Sequence, residues 1–367
     1  MTPVRHLYVH IPFCPKVCPY CSFYKEASDR NKTQQFLDAV LAEAEMRNWS
    51  SEIQPETIFF GGGTPTALST PQLTYLLTGL RERLDLSRVT EWTLEMNPAT
   101  VSMEKGTRLR ELGVNRVSMG VQAWDDPTLK ALGRVHSSQQ ALNSFRILRE
   151  AGFENVNLDL IFGVPGQSQE KWLESLYRTI DLGPEHISAY CLTYEEDTEF
   201  FRRFQRGEML QDNDADAELF ERTMDLLDSA GYEQYELSNY AKRDQECRHN
   251  LAYWLGKNYV GLGPSAFSTW GLQRWQNIAD TKTYYDRILA GLDATSFRET
   301  VTPQVRESET IAFGLRTNRG VATDKLADWR NETEEFASLG LIQEADGRFF
   351  LTRQGKMVAD TVAGAFV

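Results

Sequence analysis

The 367-residue chain contains no apolar run approaching the roughly 20 residues of a membrane span, and its N-terminus lacks the apolar core of a signal peptide. Basic residues are in deficit, 39 Lys and Arg against 52 Asp and Glu, giving a formal charge of −13. That balance argues against non-specific nucleic-acid binding, which relies on basic surface to meet phosphates. Cysteine is scarce and odd in number, five in all, and no secretory segment accompanies it, so a disulfide framework is not expected. Together these absences point to the cytoplasm, where thiols stay reduced. What is present is ordinary globular composition, 41% hydrophobic and 25% charged, long enough for one large domain and a smaller one.

Three of the five cysteines fall in eight residues, Cys14-Pro15-Lys16-Val17-Cys18-Pro19-Tyr20-Cys21. Thiolates spaced C-x3-C-x2-C on a proline-punctuated loop can converge on one metal centre but do not complete a four-ligand set. An iron–sulfur cluster held by three cysteines leaves one iron open to a small chelating ligand. Zinc is the alternative, with His10 as a fourth ligand. Some forty residues on, the apolar run Ile58-Phe59-Phe60 ends in Gly61-Gly62-Gly63-Thr64-Pro65, where backbone can approach a ligand that a side chain would exclude.

Along residues 6 to 192 strand and helix alternate. Strands are expected over 6–13, 57–60, 89–96, 115–121, 155–162 and 185–192, and helices over 32–48, 71–84, 102–112, 137–151 and 168–182. Such alternation implies βαβ units and a parallel sheet, here a partial (β/α)6 barrel. In strand after strand one face is polar. Tyr8 and His10 oppose Leu7, Val9 and Ile11; Arg116, Ser118 and Gln122 oppose Val117, Met119 and Val121; Asn155, Asn157 and Asp159 oppose Val156, Leu158 and Leu160; His186, Ser188 and Tyr190 oppose Ile187, Ala189 and Cys191. Parallel strands covered by helices on both faces read as continuous apolar runs instead. The pattern predicts a barrel interior that is wet or filled by a polar ligand, with Glu95, Gln122 and Asp159 at strand C-terminal ends, where an α/β barrel puts its site.

The cysteine triplet with Tyr20 before its third member, followed by Gly-Gly-Gly-Thr-Pro, resembles the radical S-adenosylmethionine (SAM) superfamily. The nearer resemblance is to the branch holding oxygen-independent coproporphyrinogen III dehydrogenases and HemW-type haem chaperones. It implies a [4Fe-4S] cluster on Cys14, Cys18 and Cys21, with SAM chelating the open iron. Matched motif by motif, it makes Tyr8, Gly62, Gly63, Thr64, Glu95, Gln122, Arg134 and Asp159 SAM contacts, divided in some members between two SAM molecules.

A second stretch, Cys247-Arg248-His249-Asn250-Leu251-Ala252-Tyr253-Trp254, places an imidazole near large flat rings if it is helical. Imidazole is a common axial ligand to haem iron. His-Asn-x-x-Tyr-Trp is similar to the motif that separates the haem chaperones from the dehydrogenases, which implies His249 as axial ligand. Two differences from the dehydrogenases agree: Phe23 stands where they carry a further cysteine, and only thirteen residues precede Cys14. Ser22 stands where an acid is common, and Gly263-Pro264-Ser265-Ala266-Phe267-Ser268 lacks the histidine of the usual Gly-Ala-His-Ser. Cys191, on the apolar face of its strand, reads as a buried structural thiol.

The acidic stretch 206–216 reads as a linker before a helix over 217–230. Beyond residue 300, a helix over 307–315 precedes a hairpin turning at Asp346-Gly347, with a helix following from Arg353; this suggests a small winged-helix-like α+β domain. The expected division is 1–205 barrel and cluster loop, 206–295 linker, helix and haem-motif extension, and 296–367 C-terminal domain. The expected function is haem binding and transfer to apo-haemoprotein acceptors such as respiratory enzymes, from a cytoplasmic chain peripheral to the membrane at the acceptor. The alternative is oxidative decarboxylation of coproporphyrinogen III. The sequence leaves room for a homodimer.

Overall fold

A computed structural model describes residues 3–27, 30–46 and 52–367. Six parallel strands run β1 (Val4–Ile11), β2 (Ile53–Gly62), β3 (Glu91–Met96), β4 (Arg116–Gln122), β5 (Asn155–Phe162) and β6 (His186–Cys191). Between them lie α1 (Arg30–Met46), α2 (Thr70–Arg83), α3 (Met103–Glu111), α4 (Asp126–Ala131), α5 (Ser138–Glu150) and α6 (Gln169–Leu182). Residues 47 and 48 of the helix expected over 32–48 lie outside the described residues. α2 starts at Ser69, whose side chain and Gln72 form a reciprocal capping box, with a proline in the first turn.

The outward face of these strands is the core. Leu7, Val9, Ile58, Phe60, Leu94, Val117, Val156, Leu158 and Ile187 are fully buried beneath the helices. Each such side chain contributes about 1.5–3 kcal/mol relative to exposure.

Residues 206–295, expected as linker, helix and haem-motif extension, also carry strands. The chain continues through α7 (Glu199–Gln205) to an exposed acidic turn, and α8 (Asn213–Ser229) begins four residues before the predicted start because Asp212 caps it, accepting from the Ala215 amide at 3.1 Å. Six further strands follow: β7 (Glu233–Glu236), β8 (Asn239–Ala241), β9 (Tyr259–Leu262), β10 (Phe267–Trp270), β11 (Gln273–Asn277) and β12 (Thr295–Thr300), with α9 (Arg248–Trp254) between β8 and β9. All join one sheet of order β12-β11-β10-β9-β1-β2-β3-β4-β5-β6-β8-β7, in which β9 lies parallel to β1. The boundary expected at 296 thus falls inside β12, and the sheet ends at Thr300.

Beyond it a small sheet, β13 (Val321–Ala322), β14 (Ile342–Ala345) and β15 (Arg348–Leu351), pairs antiparallel in the order β13-β15-β14. Asp346 and Gly347, both at positive φ (51° and 70°), make its hairpin turn. Helices Pro303–Leu315, Arg330–Ser338 and Ala359–Gly364 pack there around Ile311, Leu315, Val362 and Phe366. This is the winged-helix-like arrangement expected.

Candidate functional site

The polar faces of the parallel strands meet in a cavity of about 920 Å³, lined by Tyr8, His10, Arg116, Ser118, Asn157, Asp159, His186, Ser188 and Tyr190 from inside the barrel. At one end it reaches Ser22, Phe23, Tyr24, Gly62 and Glu95; at the other it reaches Asn250, Tyr253, Trp254, Arg306 and Phe313. A separate hollow of about 1070 Å³ runs over Thr74, Glu82 and Arg108 on the outer helices and holds none of the predicted site residues.

Around Asn157 the interior polar groups satisfy one another, whereas Arg116 Nε is buried without a hydrogen-bond partner. Ser118 donates to Asp159 at 3.0 Å, and the Asn157 amide donates to Asp159 at 2.7 Å and to Ser188 at 3.0 Å. His186 gives its Nδ1 proton to the Asn157 carbonyl at 2.6 Å, leaving Nε2 to accept from the Tyr235 hydroxyl at 2.8 Å. Burial pushes His186 well below its usual range, with Arg116 adding to the effect.

The cluster loop leaves β1 at Ile11. The residues after β2 fold back onto it, the Gly63 amide donating to Ile11 O and the Thr64 amide to Phe13 O, both at 2.8 Å. A Cβ at Gly63 would lie 2.8 Å from the Ile11 carbonyl oxygen, and one at Gly62 (φ +101°) would enter the His10 ring. The close approach read from the sequence as made for a ligand is therefore made first to the loop and to His10. Cys14 Sγ meets the Thr64 hydroxyl at 3.5 Å, and the Lys25 ammonium reaches the Cys21 carbonyl. Arg134 ties the loop to β4, with Nη1 at 3.6 Å from Cys18 Sγ and Nη2 donating to Gly120 O at 2.8 Å. Burial raises the Cys14 and Cys21 thiols.

Among the described residues no three His, Cys, Asp or Glu side chains converge closely enough to hold one ion. A cubane cluster asks for no such convergence, since each thiolate meets a separate iron. Nor is His10 free to join: its Nε2–H donates to the Tyr24 carbonyl and its Nδ1 accepts from the Tyr8 hydroxyl, both at 2.9 Å. Burial lowers it to about 4, keeping it neutral.

Of the eight residues matched to SAM, Gly63, Thr64, Gln122 and Arg134 do not line the cavity. Tyr8, Gly62, Glu95 and Asp159 border the cavity. Glu95 is held at about 8, first by burial and then by the Asp159 charge, against a backbone hydrogen bond from Gly62. Gln122 sits at a bulge between β4 and β5 in a left-handed conformation (φ 69°), its amide nitrogen packed over Gly120 beside Arg134. Gln122 Oε1 and Arg134 Nε are buried without a hydrogen-bond partner. Two buried polar atoms left open beside a carboxyl and the cysteine loop suit a small polar ligand bearing both carboxylate and ammonium groups.

At the far end α9 crosses the N-terminal ends of the strands. Glu91, opening β3, accepts from the amides of Arg248 at 2.9 Å and His249 at 3.0 Å, a carboxylate on a helix N-terminus. His249 is wholly buried, stacked on Phe59 at 5.3 Å between ring centroids. Its Nδ1 meets Thr57 Oγ1 at 2.7 Å and its Nε2 meets the Tyr253 hydroxyl at 2.8 Å. The histidine expected as axial ligand thus has no free nitrogen in this arrangement. Sequence reasoning missed Thr57, Glu91 and His6, whose Nδ1 also meets Thr57 Oγ1, at 2.9 Å. Cys247 is buried beside Glu91 at 3.7 Å, and Cys191, partly buried near Asp216, is pushed up to about 12 by burial and that charge.

Comparison with known proteins adds to this geometry. The pattern of the Radical SAM superfamily matches residues 8–177. The chain is 37% identical to the Heme chaperone HemW of Bacillus subtilis (strain 168), over 99% of both chains. It is 40% identical to the Heme chaperone HemW of Escherichia coli (strain K12), over 78% of this chain and 75% of that one. Its fold is shared with the coproporphyrinogen III oxidase HemN from Escherichia coli, a radical SAM enzyme, at a TM-score of 0.86 and 24% identity, covering 100% of this chain and 90% of that one.

Proposed function

The chain belongs to the HemW haem chaperone family, and we propose that it binds haem in the interior cavity and delivers it to apo-haemoproteins. The observation that carries this reading is the single cavity joining the cysteine loop to Asn250, Tyr253 and Trp254. A porphyrin needs flat apolar walls with a few polar groups at its edge. Trp254 and Phe313, 6.0 Å apart edge to face, supply such walls, and Lys257 and Arg306 border the same end for carboxylate side chains.

In this reading Cys14, Cys18 and Cys21 hold a [4Fe-4S] cluster, with Arg134 and Lys25 offsetting its negative charge. Tyr8, Gly62, Gly63, Thr64, Glu95, Gln122, Arg134 and Asp159 form the SAM site. Cluster and SAM together supply one-electron chemistry at an iron that the protein leaves open. The barrel with its loop, the sheet extension carrying α9, and the C-terminal unit act as three parts, with α9 joining the first two through Glu91. The protein works in the cytoplasm, meets its acceptors, respiratory enzymes among them, at the membrane surface, and no helix among the described residues is long and apolar enough to cross a membrane.

The test is an anaerobic haem titration of cluster-reconstituted protein, with the same sample assayed for coproporphyrinogen III decarboxylation in the presence of SAM and a reductant. Stoichiometric haem binding without turnover is expected. Turnover without tight haem binding would replace this reading with the dehydrogenase.

A further inference from the structure

The charged side chains that line the cavity are unevenly placed. Lys257, Arg274, Arg306 and Glu309 stand together at the end that reaches Trp254 and Phe313, whereas Glu95, Asp159 and Glu236 line the rest with a single described cation, Arg116. Three of the four lining cations are thus gathered at one end, in a chain of formal charge −13.

Arg274 lies on β11 and Glu309 on the helix Pro303–Leu315. Arg274 Nη2 meets the two Glu309 oxygens at 2.8 and 2.6 Å, and its Nη1 reaches Glu299 on β12 at 3.2 Å. Glu309 is also 3.7 Å from Nη1 of Arg306, whose Nη2 donates to Gly256 O at 2.6 Å. The Glu309 side chain is 14% exposed and those of Arg306 and Arg274 17% and 24%, so water and salt screen these pairs less than surface ones. A carboxylate of the chain itself is therefore seated between two guanidiniums in the cavity wall.

We propose that Arg274 is the anchor for one porphyrin carboxylate, and that Glu309 occupies this anchor in the unloaded protein. The assignment rests on the haem-binding reading above and deepens it. An incoming carboxylate takes over Arg274 Nη2, and Glu309 turns to its second partner, Arg306, three residues earlier on the same helix. One carboxylate replaces another, so neither guanidinium is left without an anion. Lys257, at the same end, remains for the second carboxylate of haem. Glu309 competes with the porphyrin for Arg274 throughout, which holds the affinity below what the clustered cations would give alone. In a protein that hands its ligand on, this competition shortens the residence of haem.

The experiment is an anaerobic titration of the cluster-containing protein with ferric haem and with its dimethyl ester, which keeps the ring and the iron but has no carboxylate. Wild type should bind haem more tightly than the ester. Arg274→Met should weaken haem binding roughly 10–100-fold, as loss of a hydrogen bond to a charged group does, and leave the ester unchanged. Glu309→Gln should tighten haem binding roughly tenfold, again without effect on the ester. A gain is not what a merely structural role would produce, since loosening the helix Pro303–Leu315 weakens both ligands alike. Haem binding that is unchanged or weaker in Glu309→Gln, or an equal loss for haem and ester in Arg274→Met, overturns the proposal while leaving the haem reading standing. If Arg274→Met does not fold, the sign of the Glu309→Gln change decides alone. A wild type that binds neither ligand removes the haem reading and this proposal with it.

Discussion

Changing Glu95 to glutamine removes an ionisable group from the cavity end that borders the cysteine loop. The glutamate is surrounded by protein and faces Asp159, which together hold it at about 8, so in the empty site it is mostly protonated at neutral pH. A ligand that brings an ammonium or ribose hydroxyls to this position is best met by the carboxylate. Binding then includes the cost of removing one proton. That cost vanishes above pH 8 and grows by about 1.4 kcal/mol per unit below it, so SAM affinity at pH 6 should be roughly 100-fold weaker than at pH 8.5. In Glu95→Gln the affinity should be lower at high pH and flat between pH 6 and 8.5. Anaerobic calorimetry in buffers of different ionisation heat reads both the affinity and the proton released. Parallel pH profiles for wild type and Glu95→Gln, or no proton release at pH 7, would refute the reasoning. For stability the same group has one sign: the raised value contributes most below 4.5, and that contribution is lost as pH rises towards 8.

The histidines have the opposite sign. All five in the chain are pushed down by burial, His6, His10 and His136 to about 4 and His186 and His249 well below the ordinary histidine value. Stability is fully present above 6.5 and falls as pH drops towards 4, by about 2 kcal/mol at pH 5 for each of His6, His10 and His136; urea midpoints should fall steeply from pH 7 to pH 5, and a flat profile would contradict the burial assigned to these rings. Gly63→Ala puts a methyl group against the Ile11 carbonyl, so cluster content after reconstitution, read by iron and sulfide analysis, should fall sharply while far-ultraviolet circular dichroism is retained. Glu91→Ala leaves two amides of α9 without an acceptor and should cost about 2–4 kcal/mol, with hydrogen exchange accelerated in residues 248–254 ahead of the barrel.

The barrel was legible because a period of two over six strands carries its own register: Leu7, Val9 and Ile11 outward require Tyr8 and His10 inward, and the polar side became the cavity wall. The strand over 155–162 kept both its ends, and the ends of the others moved by at most four residues. The sheet extension was not legible. Asn239–Ala241 is three residues long, and Tyr259–Leu262 becomes a strand by lying beside β1, a pairing across some 250 residues that no local pattern announces. The motif at 249–254 was visible as residue types, but the commitment of both His249 nitrogens depends on Thr57, 192 residues away. Gly63 was readable as a close approach, while what it approaches, the backbone of Ile11 to Phe13, appears only in three dimensions.

The parallel seat of β1 between β2 and β9 also sets a timetable for making the protein. β2 can pair with β1 once residue 62 has left the ribosome, but β9 is complete only at residue 262. At about 5–20 residues per second, those 200 residues take roughly 10–40 s to synthesise. Throughout that interval one edge of β1 is an unpaired template for other strands, and the cysteine loop that follows it is held from one side alone. The nascent chain carries its cysteine loop beside that open edge, and both become secure only once residue 262 has emerged.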